Sequence, residues 1–438
     1  MTVVVFLIFL ILLAFGVPIA FSVATSSLAV SFIDPSFTAD AVFFFRTAVA
    51  GMDSYVLIAV PLFMLSGNIM AKGGLSGRLY DFFSYFIGNS PSGLPIAVVI
   101  TCLFYGAISG SGPATVAAIG AMTIPLLTDL GYDKNFITSM VAVSGGLGVI
   151  IPPSIPYITY GLATGTSVGD LFIAGFIPGI LIASCLIGYL LYYFKTRDNS
   201  QLKIEENVMR LKELGFKSVF KESFFALLTP VIILGGIYSG IVTPTEAAVI
   251  SVVYAIIVCT SIYKTLSFKE LVKTFTDSAK TATPVMLILS FCIVFGRVLT
   301  MLQIPQQVAG IITSNVQSKV LLLLSINVFL LFLGMIMDTI PAILIVAPIL
   351  TPVVQKYGMD PVHFGIMMST NLAIGFVTPP IGTNLFVAQS LTGIPILKIA
   401  KNAVPFIVMF IIAMLLITFI PQISLILPNL IGWILYIC

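Results

Sequence analysis

The chain has 438 residues, 59% hydrophobic and 8% charged, with a formal net charge of +3 and a mean hydropathy of +1.14. Soluble domains carry about 25% charged and about 45–50% apolar residues, so a soluble fold is excluded, and the alternating ten-residue segments of a membrane β-barrel are not found. The composition therefore points to an all-α polytopic membrane protein, whose charges are informative through where they fall.

The first apolar run, Thr2–Ile33, is too long for one crossing, and Gly16-Val17-Pro18 interrupts it, predicting two short helices around a tight turn. It lacks the basic region and small-residue cleavage site of a signal peptide, and reads as a mature membrane segment. Ala41–Met52, amphipathic around Arg46, reads as an interfacial arm, and Tyr55–Ala71 as a span. Gly74–Gly88, rich in aromatics, predicts a helix in the interface plane. Two short apolar arms then flank "SGSGPAT" (Ser109–Thr115), a long run over Phe136–Thr166 is broken at Ile151-Pro152-Pro153-Ser154, and Leu171–Phe194 spans again. Lys195–Glu222 is the one extended hydrophilic stretch. It carries Lys195, Arg197, Lys203, Arg210, Lys212, Lys217 and Lys221.

Beyond this linker, Phe224–Gly240, Thr245–Tyr263, Ala282–Leu302 and Ile399–Ile420 predict spans. Between the last two lie a split region around Asp338 and a run broken at Thr378-Pro379-Pro380. The tail, with Trp433 near its end, reads as re-entrant or interfacial. Cys102, Cys185, Cys259, Cys292 and Cys438 show no paired spacing and read as inert helix residues.

The halves resemble each other. Pro18 and Pro244, Pro61 and Pro284, Pro113 and Pro341, Pro152 and Pro379 recur 223–228 residues apart in the same order, which predicts an internal repeat. With the N-terminus outside and five full crossings per half, every Lys and Arg except Arg46, Arg297, Lys319 and Lys356 falls inside, as lysine and arginine placement favours. An odd number of crossings inverts the second half, and inverted repeats with broken helices mark secondary transporters. The expected organisation is a first inverted repeat over 1–194, with a hairpin at 94–130 and a broken helix at 134–166. A cytoplasmic linker at 195–222 leads to a second inverted repeat over 223–421, with a hairpin at 319–356 and a broken helix at 361–393, and to a tail at 422–438.

Irregular backbone inside a bilayer must be covered by protein or line a watery cavity. The arms flanking "SGSGPAT" are about 14–16 residues each, a little short for a crossing at about 1.5 Å per residue. A re-entrant helical hairpin turning at Ser109–Pro113 fits both facts. Glycines Gly110 and Gly112 permit the turn, and Pro113 suits the first turn of the returning helix. The N-terminus of that helix favours an anion. The carbonyl end of the departing helix favours a cation such as Na⁺. Ser109, Ser111 and Thr115 add hydroxyls.

The corresponding stretch of the second half is "GMIMDTIPA" (Gly334–Ala342), with Asp338 the one carboxylate in a long apolar segment. Intramembrane ionisable residues point to function. Asp338 reads as a Na⁺ ligand, a proton carrier or a helix cap, and the cap is compatible with either of the others. In "GLGVIIPPSIPYITYG" (Gly146–Gly161) and "NLAIGFVTPPIGTNLFVAQ" (Asn371–Gln389), the double prolines free carbonyls near Gly148–Ile151 and Gly375–Thr378, which suit a hard cation. Ser154, Thr383 and Asn384 follow the breaks and are candidate substrate contacts. Asn68 reads either as lining the first ion site or as a helix–helix contact. Arg297 reads as snorkelling outward, with a carboxylate partner as the alternative. Glu246 reads as a first-turn helix acid and His363 as structural. No GxxxxGK[ST] motif is present for ATP. One near-isolated Asp and one His do not make an enzyme.

"SGSGPATVAAIG", "GLGVIIPPSIPYITYG", "GMIMDTIPAILIVAPIL" and "NLAIGFVTPPIGTNLF" resemble the large membrane subunit (M subunit, DctM type) of tripartite ATP-independent periplasmic (TRAP) transporters, and the resemblance runs over essentially the whole chain. It implies a multi-pass transporter of the bacterial inner membrane, N-terminus periplasmic. A Na⁺ gradient would drive it, with no other cofactor and no nucleic acid. It implies a separate four-helix membrane subunit, a periplasmic substrate-binding protein, and a scaffold with an elevator-type transport domain. The implied substrate is an organic acid, sialic acid or a C4-dicarboxylate. Carried onto this sequence, Asn68, Ser109, Ser111, Gly112, Gly145, Gly148, Ile151 and Pro152 frame one Na⁺ site. Gly334, Asp338, Thr339, Gly375, Thr378 and Pro379 frame the other. Ser111, Pro113, Thr115, Ser154, Thr339, Thr383 and Asn384 face substrate between the tips. A self-sufficient Na⁺- or H⁺-coupled carboxylate transporter of similar architecture is the alternative.

Overall fold

The computed structural model describes residues 2–33, 37, 39–197, 202, 203, 209 and 211–437, without the side chains of 2, 3 and 432–437. Arg210, Cys438 and the Trp433 side chain thus lie outside the described residues, as does much of the linker. Among the described residues there are helices and no strand. The first half runs α1 (Thr2–Ala14), α2 (Ile19–Ile33), α3 (Ala41–Met52) and α4 (Ala59–Lys72, entered through a 3-10 turn at Tyr55–Ile58). It continues as α5 (Leu75–Ile87), α6 (Gly93–Ser109), α7 (Gly112–Asp129), α8 (Lys134–Ser144, extended by a 3-10 turn at Gly145–Val149), α9 (Ile155–Thr164) and α10 (Val168–Lys195).

The second half runs α11 (Phe216–Tyr238), α12 (Pro244–Ile257, extended by a π turn at Val258–Ile262), α13 (Phe268–Met301), α14 (Ile304–Asn315) and α15 (Lys319–Ile336). Then come α16 (Thr339–Lys356), α17 (Pro361–Gly375), α18 (Thr383–Thr392), α19 (Ile396–Phe419) and α20 (Gln422–Ile437). Eight of the described helices are long and apolar enough to cross a membrane.

The helix starts repeat. α2, α5, α6, α7, α8, α9 and α10 begin 225–229 residues before α12, α14, α15, α16, α17, α18 and α19. The capping chemistry repeats with them. Asp133 caps α8, accepting from Phe136 N–H at 2.7 Å, and Asp360 caps α17, accepting from Val362 N–H at 2.7 Å. Each cap satisfies a helix-start donor that apolar surroundings would otherwise leave orphaned. Glu246 closes a capping box with Thr243 at the start of α12, so it is a first-turn acid.

Three sequence expectations need correction. The span expected at Ala282–Leu302 starts at Phe268 and is a single 34-residue helix. The capping box of Ser267 with Glu270 starts it early, and Lys72 of α4 holds Asp277 at 2.9 Å across its polar first turns. The first half divides the same stretch, because Asp53 ends α3 and Ser54 is extended. Second, α14 was not anticipated: its 12 residues mix Gln, Ser and Asn into the apolar pattern, and Pro305 in its first turn was the available start signal. Third, the arms flanking Ser109–Thr115 are longer than 14–16 residues, and those of the second hairpin are of similar length. α6 has 17 and α7, α15 and α16 have 18, or about 26–27 Å at about 1.5 Å per residue. The caps recruit turn residues into the helices.

Packing places the two hairpins. In each half the first arm lies against the broken helix of its own half, α6 on the extension of α8 and α15 on α17. The return arms cross over: α7 packs on α18, and α16 packs on α9. The tail helix α20 packs on α10 and α17. Helices in lipid gain little from burying apolar surface against one another, and close backbone approach through small residues replaces it. Glycine pairs supply that approach here. A Cβ built on Gly106 of α6 would lie 2.8 Å from Gly148 Cα, and one built on Gly375 of α17 would fall into the backbone of Gly334 of α15.

Candidate ion and substrate site

Gly110 ends α6 in the left-handed region at φ 59°. A side chain there would meet Pro153 O at 2.8 Å, so the tip requires glycine for conformation and for space. Ser111 is extended and caps α7, its Oγ accepting from Ala114 N–H at 3.5 Å, and Pro113 fills the first turn. The hydroxyls converge beneath it. Ser109 Oγ lies 3.0 Å from Thr115 Oγ1, which donates to Ser111 O at 2.8 Å. The first break faces this cluster. A Cβ on Gly148 would lie 2.8 Å from Ser111 O. Ser154 Oγ donates to Val149 O at 2.5 Å. Ile155 N–H donates to Gly110 O at 3.4 Å, stapling break to tip. Residues 141–161 are buried throughout.

The second tip repeats the staple. Ile381 N–H, just past the second break, donates to Met335 O at 3.3 Å. Both breaks carry a cis peptide, Pro152-Pro153 and Pro379-Pro380. Asp338 is the N-cap of α16 and accepts from Thr339 N–H at 2.7 Å. Thr378 Oγ1 donates to Ile374 O at 2.9 Å, and Gly382 turns the chain into α18 at φ 31°. Unlike the first pair, this one is open: Asp338 and Pro380 are exposed, and Ile381 is 42% exposed.

Asn384 ties the pairs together. Its Nδ2 donates to Ala142 O of α8 at 2.9 Å. A Cβ on Gly112 would lie 3.2 Å from Asn384 Oδ1, and one on Gly145 3.2 Å from Asn384 Nδ2. Asn384 thus stands against the first tip and first break, although it follows the second. Its Oδ1, with Thr339 Oγ1 and Thr383 Oγ1, is buried without a protein partner. Buried polar atoms rarely go unpaired, and three beside two helix N-termini leave donors and acceptors free for a ligand. The hydroxyl, carbonyl and carboxylate oxygens are the donor types a hard cation such as Na⁺ takes, so the residues present fit it.

Asn68 is placed in a helix–helix contact, its Nδ2 donating to Ser278 Oγ of α13 at 2.9 Å. Its neighbour Gly67 abuts Ser109, where a Cβ would lie 3.0 Å from Ser109 Cα. Gly334 and Gly375 meet backbone to backbone under the second tip. The sequence reading missed a buried polar network behind this tip. Asn371 Nδ2 donates to Asn327 Oδ1 at 2.7 Å, and Asn327 Nδ2 donates to Thr418 Oγ1 at 3.3 Å. Two asparagines inside apolar helices were the available signal, since buried amides in lipid demand partners.

A family description, "Tripartite ATP-independent periplasmic transporter, DctM component", matches residues 6–423. The chain is 40% identical to the "Isethionate TRAP transporter permease protein DctMQ" of Oleidesulfovibrio alaskensis over 95% of its own length, and spans 64% of that longer relative. It is 40% identical to the "C4-dicarboxylate TRAP transporter large permease protein DctM" of Pseudomonas aeruginosa, covering 87% of this chain and 88% of that one. It is 35% identical to the "Sialic acid TRAP transporter large permease protein SiaM" of Vibrio cholerae, covering 96% of each. Among solved structures, the YdaH transporter of Alcanivorax borkumensis shares the fold at a TM-score of 0.61 and 13% identity, over 87% of this chain and 89% of that one.

Proposed function

The chain belongs to the DctM component family of tripartite ATP-independent periplasmic transporters, a family of multi-pass membrane permeases rather than enzymes, and we propose that it is the large transport subunit of such a system, taking up an organic acid with Na⁺. The observation that carries this reading is the repeated staple, Ile155 to Gly110 and Ile381 to Met335. Each staple holds a helix N-terminus against the freed carbonyls of its own half, and Asn384 of the second half stands against the first tip and first break. Helix N-termini and hydroxyls receive the substrate carboxylate. The oxygens of the two tip–break pairs receive Na⁺. Neither role needs a buried lysine or arginine, whose cost in the membrane would be high.

The hairpins and broken helices move together against α1–α4 and α11–α13, in elevator fashion. The crossed packing of α7 on α18 and α16 on α9 makes one body of them. Lysine and arginine placement supports an N-terminus outside the bacterial inner membrane. A small four-helix membrane subunit and a periplasmic binding protein complete the system. Relatives named for isethionate, C4-dicarboxylates and sialic acid support a substrate among small organic anions.

The test is reconstitution in liposomes with the cognate small subunit and binding protein, using the acid that stabilises the binding protein most in a thermal-shift screen. Uptake should require all three components and an inward Na⁺ gradient. Uptake by the large chain alone would make it a self-sufficient transporter, and uptake indifferent to Na⁺ would overturn the coupling.

A further inference from the structure

Arg297 lies on α13 four residues from its C-terminal end, exposed, with no hydrogen bond or ion pair to any described residue. Basic residues in the repeat-related stretch of the first half, by contrast, have partners. Lys72, at the end of the corresponding α4, holds Asp277 at 2.9 Å, and Arg78 stacks over the Tyr263 ring at 4.0 Å. Arg297 therefore keeps five donors free.

It lines a cavity of about 330 Å³ bounded by Gly51 and Ser54 at the α3–α4 interruption, Thr300 of α13, Ala163 of α9 and Pro348 of α16. A second cavity of about 410 Å³ shares Ala163 and Pro348 with it and continues past Thr351 and Gln355 to Asp360. The two make one cleft along α16. Leu344, lining the inner cavity, lies about 8 Å along the helix from its start at Thr339, and Gln355 about 24 Å, at about 1.5 Å per residue. The cleft thus runs from the base of the second hairpin toward its tip, the tip whose break is open to the surface. One wall belongs to α3 and α13, the other to α9 and α16, which pack together as part of the hairpin body. Asp360, at the outer end, spends its carboxylate on the N–H groups of Val362 and His363, which leaves Arg297 as the free charge of the cleft.

Resting on the transport reading above, we propose that Arg297 is an anion-binding residue of this cleft, receiving the carboxylate or sulfonate of the arriving organic acid before it reaches the tips. A guanidinium offers a planar fork that binds such groups in two parallel hydrogen bonds. The inner cavity falls within the about 300–1,000 Å³ of small-molecule pockets. Its position between the two walls also explains why the cation is an arginine on the α13 side. It can hold the anion while α9 and α16 move past it.

The experiment uses the chain with its small subunit in lipid nanodiscs, with phenylglyoxal labelling of Arg297 read by peptide mass spectrometry. Succinate, sialic acid and isethionate serve as probes, and glucose as the neutral control. At least one acid should protect Arg297 and glucose should not. In the reconstituted three-component system, R297Q should raise the half-saturating concentration of delivered substrate about tenfold or more, with the Na⁺ dependence unchanged, while R297K, which keeps the charge but not the fork, recovers only part of the loss. Absence of protection by every acid, or an unchanged half-saturation in R297Q, overturns the proposal. So does protection in phosphatidylglycerol nanodiscs relative to phosphatidylcholine without added acid, which would assign the site to a lipid phosphate. Loss of Na⁺ dependence in the unmodified protein would sink the transport reading alone, and acid protection of Arg297 would still support the anion site.

Discussion

The two tip–break pairs are built from the same parts and differ in exposure. Around the first, residues 141–161 are buried and the hydroxyls of Ser109 and Thr115 bond each other. Around the second, Asp338 and Pro380 are exposed, and Thr339 and Thr383 keep hydroxyls with no protein partner. One sequence plan, placed twice, thus gives a closed pair and an open one. The local chemistry sets the difference. The first tip has neutral hydroxyls that satisfy one another, while the second has a carboxylate whose negative charge calls for a cation or water.

The largest effect is expected from Asp338→Asn. It should lower Na⁺-dependent uptake by about 10–100-fold, the range for losing a charged ligand worth about 1.5–3 kcal/mol. Binding of the small subunit, checked by co-purification, should be unaffected. An unchanged rate would remove Asp338 from ion coupling and leave it as a cap alone. Next, Gly375→Ala should destabilise the protein by about 1–3 kcal/mol, seen as a lower Tm, because the new methyl meets the backbone of Gly334. Gly148→Ala should cost somewhat less, since its methyl would meet one backbone atom, Ser111 O at 2.8 Å, besides the Thr115 hydroxyl at 2.4 Å, where that of Gly375→Ala meets three backbone atoms of Gly334 within 2.6 Å. Equal losses would mean that the two pairs yield alike.

Exposure itself is open to a direct check. In a cysteine-free background, Ile381→Cys should react with a membrane-impermeant thiol reagent at least about tenfold faster than Ile151→Cys, since Ile151 is 2% exposed. Similar rates would erase the contrast between the pairs. The smallest effect is expected from Thr115→Val, which removes one hydroxyl worth about 1 kcal/mol and should raise the half-saturating Na⁺ concentration several-fold.

The existence of two such pairs was legible in the chain. The proline offsets, the two Pro-Pro breaks and the lone Asp338 announced a repeat with two tips, because each violates the rules for a plain membrane helix. Helix starts were legible where a cap stood, as at Asp133 and Asp360. Exposure was not, because it depends on which helix covers which break. Asn384 shows the limit: its sequence neighbours put it with the second break, and the crossed packing of α18 on α7 puts it beside Gly112 and Gly145. Asn68 shows another, since its partner Ser278 lies 210 residues away on a helix whose first turns precede the span expected at Ala282–Leu302.

The most direct measurement is the Na⁺ concentration dependence of uptake in the reconstituted three-component system, for the unmodified chain, Asp338→Asn, and Ser109→Ala with Thr115→Val. If both pairs hold Na⁺, the unmodified curve is sigmoidal, and removing the oxygens of either pair makes it hyperbolic. A sigmoidal curve that keeps its shape in both variants would contradict a two-pair ion site.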